Sequence, residues 1–206
     1  MRIGVRAFLL GLSGLLLFAA PAAAADQDDF VRWENAVPGR ADNVRAFETY
    51  LREQGVGDIL PASQLLLNAS SWRACGVAPY SLPPRDLWSH VVPTLRFIRE
   101  RIVPALGPVA AVSGYRDPGL NKCAGGATKS AHALYDALDL TPLHVTDRNA
   151  MIAEVCQLHA RYGQEARVGL GFYQGMRFHI DTNGYRRWGS DYHSSTSPCV
   201  TQIARR

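Results

Sequence analysis

The stretch SAHALYDALDL, Ser130 to Leu140, sets a histidine and a carboxylate seven residues apart among mostly small and apolar side chains. As one straight helix it would put His132 and Asp139 on one face but about 10 Å apart along the axis, too far for two short side chains to share an ion. A bend after His132, followed by a strand, changes the outcome. Alternation then turns Ala137 and Asp139 to one side and Asp136, Leu138 and Leu140 to the other, so that Asp139 can swing beside His132. A carboxylate in such apolar company needs a cation or several hydrogen bonds. Taken alone, the pair also fits an ordinary structural hydrogen bond, so the flanking sequence has to decide.

Downstream, FHIDT carries His179 and Asp181, which alternation places on one side of a strand while Phe178 and Ile180 point into the core. Two histidines and one aspartate from separate elements make a metal set with three protein ligands, His132, Asp139 and His179, and a fourth position open for water. An open position marks a catalytic rather than a structural zinc site. Upstream lies SGYRDPGLNKCAGGATK, a Gly-rich loop with Arg116 and Asn121. His90 and His159 fall within predicted helices, His144 follows Pro142 in a loop and His193 sits in a polar tail, so none of them is expected to touch metal. Phe172, Tyr173 and Phe178 are expected in the core of a hairpin.

Around these motifs the chain reads as α+β, a small antiparallel sheet flanked by helices. Val44, Phe47 and Leu51 give Gly39 to Val56 a helical spacing, and Val91, Leu95, Ile98 and Ile102 do the same for a helix from Leu87 to Leu106 with Pro93 in its first turn. PVAAVSGYR is a predicted strand, Asp147 a predicted cap for a third long helix, and RVGLGFYQGMRFHIDTNG a predicted hairpin turning at Gln174 and Gly175.

The N-terminal residues 1–25, with Arg2 and Arg6 ahead of an apolar run that ends in small residues, have the form of a cleaved secretory signal and not of a membrane anchor. Cleavage near Ala25 leaves about 180 residues, enough for one sizeable core, and no transmembrane anchor. Loss of Arg2 and Arg6 lowers the formal charge from +4 to +2, which argues against a nucleic-acid partner. The expected location is periplasmic or secreted, as a monomer. Export brings the four cysteines into an oxidising compartment, where they should form disulfides. Three pairings are possible; Cys75 with Cys123 and Cys156 with Cys199 is the expected one, tying an early loop to the segment before His132 and the tail to a helix.

SGYRxxxxN from Ser113, GGAxxSxH from Gly125 with Ala137-x-Asp139 beyond it, and FHxDT from Phe178 followed by Trp188 together resemble the zinc D-alanyl-D-alanine carboxypeptidases and dipeptidases of metallopeptidase family fifteen. The resemblance covers about Leu82 to Trp188. It implies a fold shared with hedgehog and lysostaphin-type enzymes, an N-terminal helical extension over 26–81, and a zinc D,D-peptidase-like domain with a C-terminal tail over 82–206. It also implies zinc on His132, Asp139 and His179, and a peptidoglycan stem peptide as the molecule acted on. Zinc so held can bring the pKa of water to about 7 for attack on a peptide carbonyl. Arg116 would hold the substrate carboxylate or the developing oxyanion; the alternative is a pair with Asp117 or another surface acid. Ser130 would hold substrate, or cap the turn before His132.

Two departures from the family pattern stand out. Tyr135 replaces the usual glycine, either narrowing the pocket or packing behind the ligands. Family members place an acid three residues before the third ligand, or a histidine two before it, to move protons, and here those positions are Met176 and Arg177. Asp181 is the nearest substitute, as a base or as a group orienting His179. The expectation is therefore bound zinc with slow hydrolysis, unless Asp181 serves as the base; a zinc-binding relative that recognises cell-wall peptides or a protein partner without cleaving them is the second function class.

Overall fold

Helices α1 (Ala22–Asn35) and α2 (Arg40–Glu53) meet at a turn in which Gly39 takes a φ of 76°, a conformation that glycine adopts without a Cβ clash. The structure is a computed structural model that describes residues 22–203. The expected export signal lies outside the described residues, apart from Ala22 to Ala25, which open α1. Among the described residues no helix is long and apolar enough to cross a membrane.

Helix α2 buries Val44, Phe47 and Leu51, the stripe its spacing predicts. These side chains and Leu65 of α3 (Ala62–Leu65) enter the same apolar cluster as Leu138, Leu140, Phe178 and Ile180. Residues on both sides of the expected boundary at 81/82 thus share one core.

The predicted helix from Leu87 to Leu106 is not uniform. A 3-10 turn over Arg85–Leu87 leads to α4 (Val91–Phe97), which has Pro93 in its first turn, then a π-helical stretch, Ile98–Ile102, and α5 (Val103–Leu106). Pro104 supplies the reason, because its ring would clash with the Glu100 carbonyl in an unbroken α-helix and it has no N–H to donate. The wider turn absorbs the mismatch while Ile98 and Ile102 stay fully buried.

Strands β1 (Val109–Ser113), β2 (Ala137–Pro142), β3 (Gly169–Phe172), β4 (Phe178–Asp181) and β5 (Arg186–Trp188) form one sheet in the order β1-β2-β4-β3-β5. β3 and β4 are the predicted hairpin, with Gly175 at φ 64° in its turn. The sheet is not wholly antiparallel as expected: β5 pairs with β3 in parallel. After β4 the chain crosses the end of β3, where Gly184 N–H donates to the Arg167 carbonyl, and so reaches the far edge running in the direction of β3.

Behind the sheet, α7 (Arg148–Tyr162) is capped by Asp147, whose side chain accepts from Asn149 N–H, and buries Met151, Ile152, Val155, Cys156 and His159. Both expected disulfides are present. Cys75–Cys123 ties the loop after α3 to α6 (Pro118–Cys123), and Cys156–Cys199 ties α7 to α8 (Pro198–Ile203).

Candidate metal centre

One row of residues crosses the whole sheet. Ser113, Asp139, His179, Gly171 and Trp188 are cross-strand neighbours in sheet order, and residues directly opposite share a face. A second row sets Ala137, Asp181, Gly169 and Arg186 side by side. Each row has a glycine in β3. A Cβ on Gly171 would lie 2.3 Å from the Trp188 ring, and one on Gly169 2.3 Å from Asp181 Oδ2 and 2.6 Å from Arg186 Nη1. Only bare backbone lets the β5 side chains reach across to β4.

His132 comes from the loop before β2. Its turn is closed by Ala133 N–H to Ser130 O, Tyr135 N–H to His132 O and Asp136 N–H to Ala131 O, so the chain bends after His132 and enters the strand that carries Asp139. Tyr135 holds a φ of 59°, a region in which glycine is free of strain and tyrosine is not. Its ring packs fully buried between Phe47 and Tyr115, and its hydroxyl donates to Leu65 O at 3.3 Å. It therefore sits behind the ligands and does not narrow the pocket.

Three ligand-type atoms converge. His132 Nε2, His179 Nδ1 and Asp139 Oδ1 lie within 3.1 to 3.3 Å of one another, on residues at most 3% exposed. The other ring nitrogens are engaged. His132 Nδ1–H donates to Gly114 O at 2.7 Å, and His179 Nε2–H donates to Asp181 Oδ2 at 2.7 Å. That fixes which nitrogen of each ring faces inward. Asp181 is itself held by Arg186 Nη1 and Nη2 at 2.9 and 2.7 Å and by Asn183 N–H at 2.8 Å. Asp139 Oδ2 accepts from Arg116 Nη2 at 3.3 Å and from Arg177 Nη2.

The charges follow from these contacts. Burial pushes His132 down to about 4, so it stays neutral with a free lone pair. Burial alone would raise Asp139, but His132 and His179 outweigh it and hold the carboxyl well below its ordinary value. His179 is raised, the hydrogen bonds to Asp139 and Asp181 overcoming the burial that would lower it. Three inward lone-pair atoms with every outward partner satisfied are a donor set for a cation, and entry of the cation would expel the His179 proton.

Arg116, Ser130, His132 and His179 line a cavity of about 510 Å³. Arg116 pairs with Asp139 and not with Asp117, and Ser130 stands at the rim with its carbonyl in the turn before His132. Asp181 is fully buried behind His179, on the side away from the inward Nδ1, with Oδ2 bonded to Nε2–H. Met176 packs at the edge of the core, and Arg177 lies over the Tyr173 ring at 4.8 Å while reaching Asp139. Tyr173, expected in the core, is only half-buried and lines the cavity, as do Trp188, Tyr192 and His193. The tail gave no motif that marked these last residues; the one signal was Trp188 itself.

The family profile described as Peptidase M15 matches residues 66–181, more than half of the chain and beginning before the Leu82 expected from the motifs. No curated protein and no solved structure matches. With the donor triad and the motifs that carry it inside the matched range, the chain belongs to the peptidase M15 family, a family of metal-dependent peptidases.

Proposed function

We propose that the chain is an exported zinc peptidase that hydrolyses D-amino-acid peptide bonds in the stem peptides of peptidoglycan, in the manner of D-alanyl-D-alanine carboxypeptidases, on a fold of the hedgehog and D,D-peptidase type. The observation that carries it is the convergence of His132 Nε2, His179 Nδ1 and Asp139 Oδ1 beside Arg116 in one cavity. Their mutual distances suit zinc, since a tetrahedral ion with bonds of about 2.0–2.1 Å has ligand-to-ligand edges of about 3.3 Å. Zinc in this set supplies a nucleophile by lowering the pKa of water to about 7 and polarises the scissile carbonyl. Ser113 Oγ and Asp139 Oδ2 fix Arg116 through Nε and Nη2, which leaves Nη1 for a substrate carboxylate or a developing oxyanion. Two disulfides and the N-terminal pattern of residues 1–25 support export.

A second reading, a relative that binds stem peptides without cleaving them, draws support from Met176 and Arg177 at the positions where the family has its proton carrier. The deciding experiment supplies the purified protein with zinc and a cell-wall pentapeptide ending in D-alanyl-D-alanine. Release of D-alanine, lost in His132→Ala, supports the peptidase; binding of the peptide with no release supports the second reading and overturns the first.

A further inference from the structure

The cavity poses a question that the metal set leaves open, namely which group carries the proton from water to the leaving amine. Asp139 has Oδ1 against both histidines and Oδ2 against two arginines. Asp181 is fully buried and bonded to His179, Asn183 N–H and Arg186. Among the described residues no carboxylate lines the cavity. The Tyr173 hydroxyl is held above its ordinary pKa by burial and by Asp139, which unfits it as a base. Lysine and arginine side chains are protonated at neutral pH and have no lone pair to offer.

Among the described residues one imidazole outside the triad lines the cavity, and it comes from the tail, beyond the segment that matches the family. His193 sits in a loop pinned at one end by Trp188 of β5 and at the other by the Cys156–Cys199 disulfide. The backbone of the loop is satisfied internally. Gly189 N–H donates to His193 O at 3.0 Å, Tyr192 N–H to Gly189 O at 3.0 Å, His193 N–H to Asp191 Oδ1 at 3.0 Å, and Thr196 Oγ1–H to His193 O at 2.9 Å. A Cβ on Gly189 would stand 2.5 Å from Thr196 O, so the loop closes this tightly only with glycine there. Its main chain is thus held at both N–H and C=O, while the His193 ring is exposed and makes no hydrogen bond among the described residues.

We infer that His193 is the catalytic proton carrier of the peptidase proposed above, taking the role that Met176 and Arg177 cannot fill. As the water oxygen bonds to the carbonyl carbon, one water proton passes to the lone pair of a His193 ring nitrogen. The C–N bond then breaks and that proton goes to the departing amine nitrogen, leaving a carboxylic acid, an amine and the His193 lone pair restored. An imidazole is suited to both halves of this transfer at neutral pH.

The test uses the full zinc-loaded protein, wild type against His193→Ala and His193→Gln. Both variants should keep wild-type zinc content and thermal unfolding while kcat on the pentapeptide falls about 100- to 10,000-fold. Added imidazole should restore part of the rate to His193→Ala, an effect that loss of a structural contact would not show. Unchanged kcat in His193→Ala at equal zinc overturns the inference. An independent arm records the ring nitrogen resonances of His193, assigned by their loss in His193→Gln, while a phosphinate analogue of D-alanyl-D-alanine is added. A shift on binding places the ring at the reacting atoms, and no shift with the analogue bound overturns the assignment. If wild type cleaves no D-amino-acid peptide, the peptidase reading falls by itself, and the resonance arm still decides whether His193 faces the ligand.

Discussion

The two faces of the sheet are built from alternate residues of the same strands and are stabilised in opposite ways. On the back, Leu138, Leu140, Phe178 and Ile180 lie in the apolar core, each at most 1% exposed. On the front, Asp139, His179 and Asp181 are buried too, at most 3% exposed, and every one is polar. The back face gains from exclusion of water, roughly 1.5–3 kcal/mol per large side chain, and needs no particular partner. The front face holds because the triad and the groups around it bond one another, from Gly114 O through the triad to Arg186. Tolerance therefore differs: a back-face change leaves a cavity, whereas a front-face change strands charges.

Adjacent residues on opposite faces make the sharpest contrast. Asp139→Ala leaves Arg116 and Arg177 without their carboxylate and should cost about 3–5 kcal/mol in denaturant unfolding. Leu138→Ala should cost about 2–5 kcal/mol through its cavity. The two should part on adding zinc, which raises the unfolding midpoint of Leu138→Ala and does nothing for Asp139→Ala. Equal zinc stabilisation of both would erase the distinction between the faces.

Asp181→Asn keeps the shape of the front face but weakens the support of His179. Zinc affinity, read by chelator competition, should fall about 10- to 100-fold with the fold retained. Affinity equal to wild type would show that Arg186 and Asp181 only fill space.

The smallest effect is on pH dependence in the zinc-free protein. With His132 lowered from 6.5 to about 4, the unfolded chain binds a proton in that window that the folded chain refuses, so stability drops as pH falls through it. The depressed Asp139 and Asp181 add stability above the ordinary carboxylate range that is lost as pH falls through their folded values. His179 works the other way: its raised pKa gives stability that is full below 6.5 and lost as pH rises through its folded value. Urea midpoints across pH 4 to 6.5 should therefore slope downward toward acid less steeply in His132→Gln than in wild type.

Much of this contrast was legible beforehand, because strand alternation in FHID and in ALDL already assigns each residue a face. The bend at His132 was legible as well, from the short reach of His132 and Asp139. Other features depend on contacts between distant elements. Arg177 reads only as a poor base until the register of β2 and β4 sets it beside Asp139. Tyr135 looks like an obstacle until its positive φ turns the ring toward Phe47. His193 reads as tail because no local pattern announces that β5 will cross to the far edge of β3 and carry the loop back over the cavity. Pro104 falls inside the predicted helix, and because Ile98 and Ile102 keep helical spacing through the π turn, the spacing conceals the break.

The proposed function stands on the front face holding zinc with His132, Asp139 and His179. Elemental analysis of the reconstituted full chain tests it most directly, with wild type beside His132→Ala, Asp139→Ala and His179→Ala. One zinc per wild-type chain is expected, with loss of that zinc in each variant. No zinc above background in wild type, or wild-type zinc in all three variants, would contradict it.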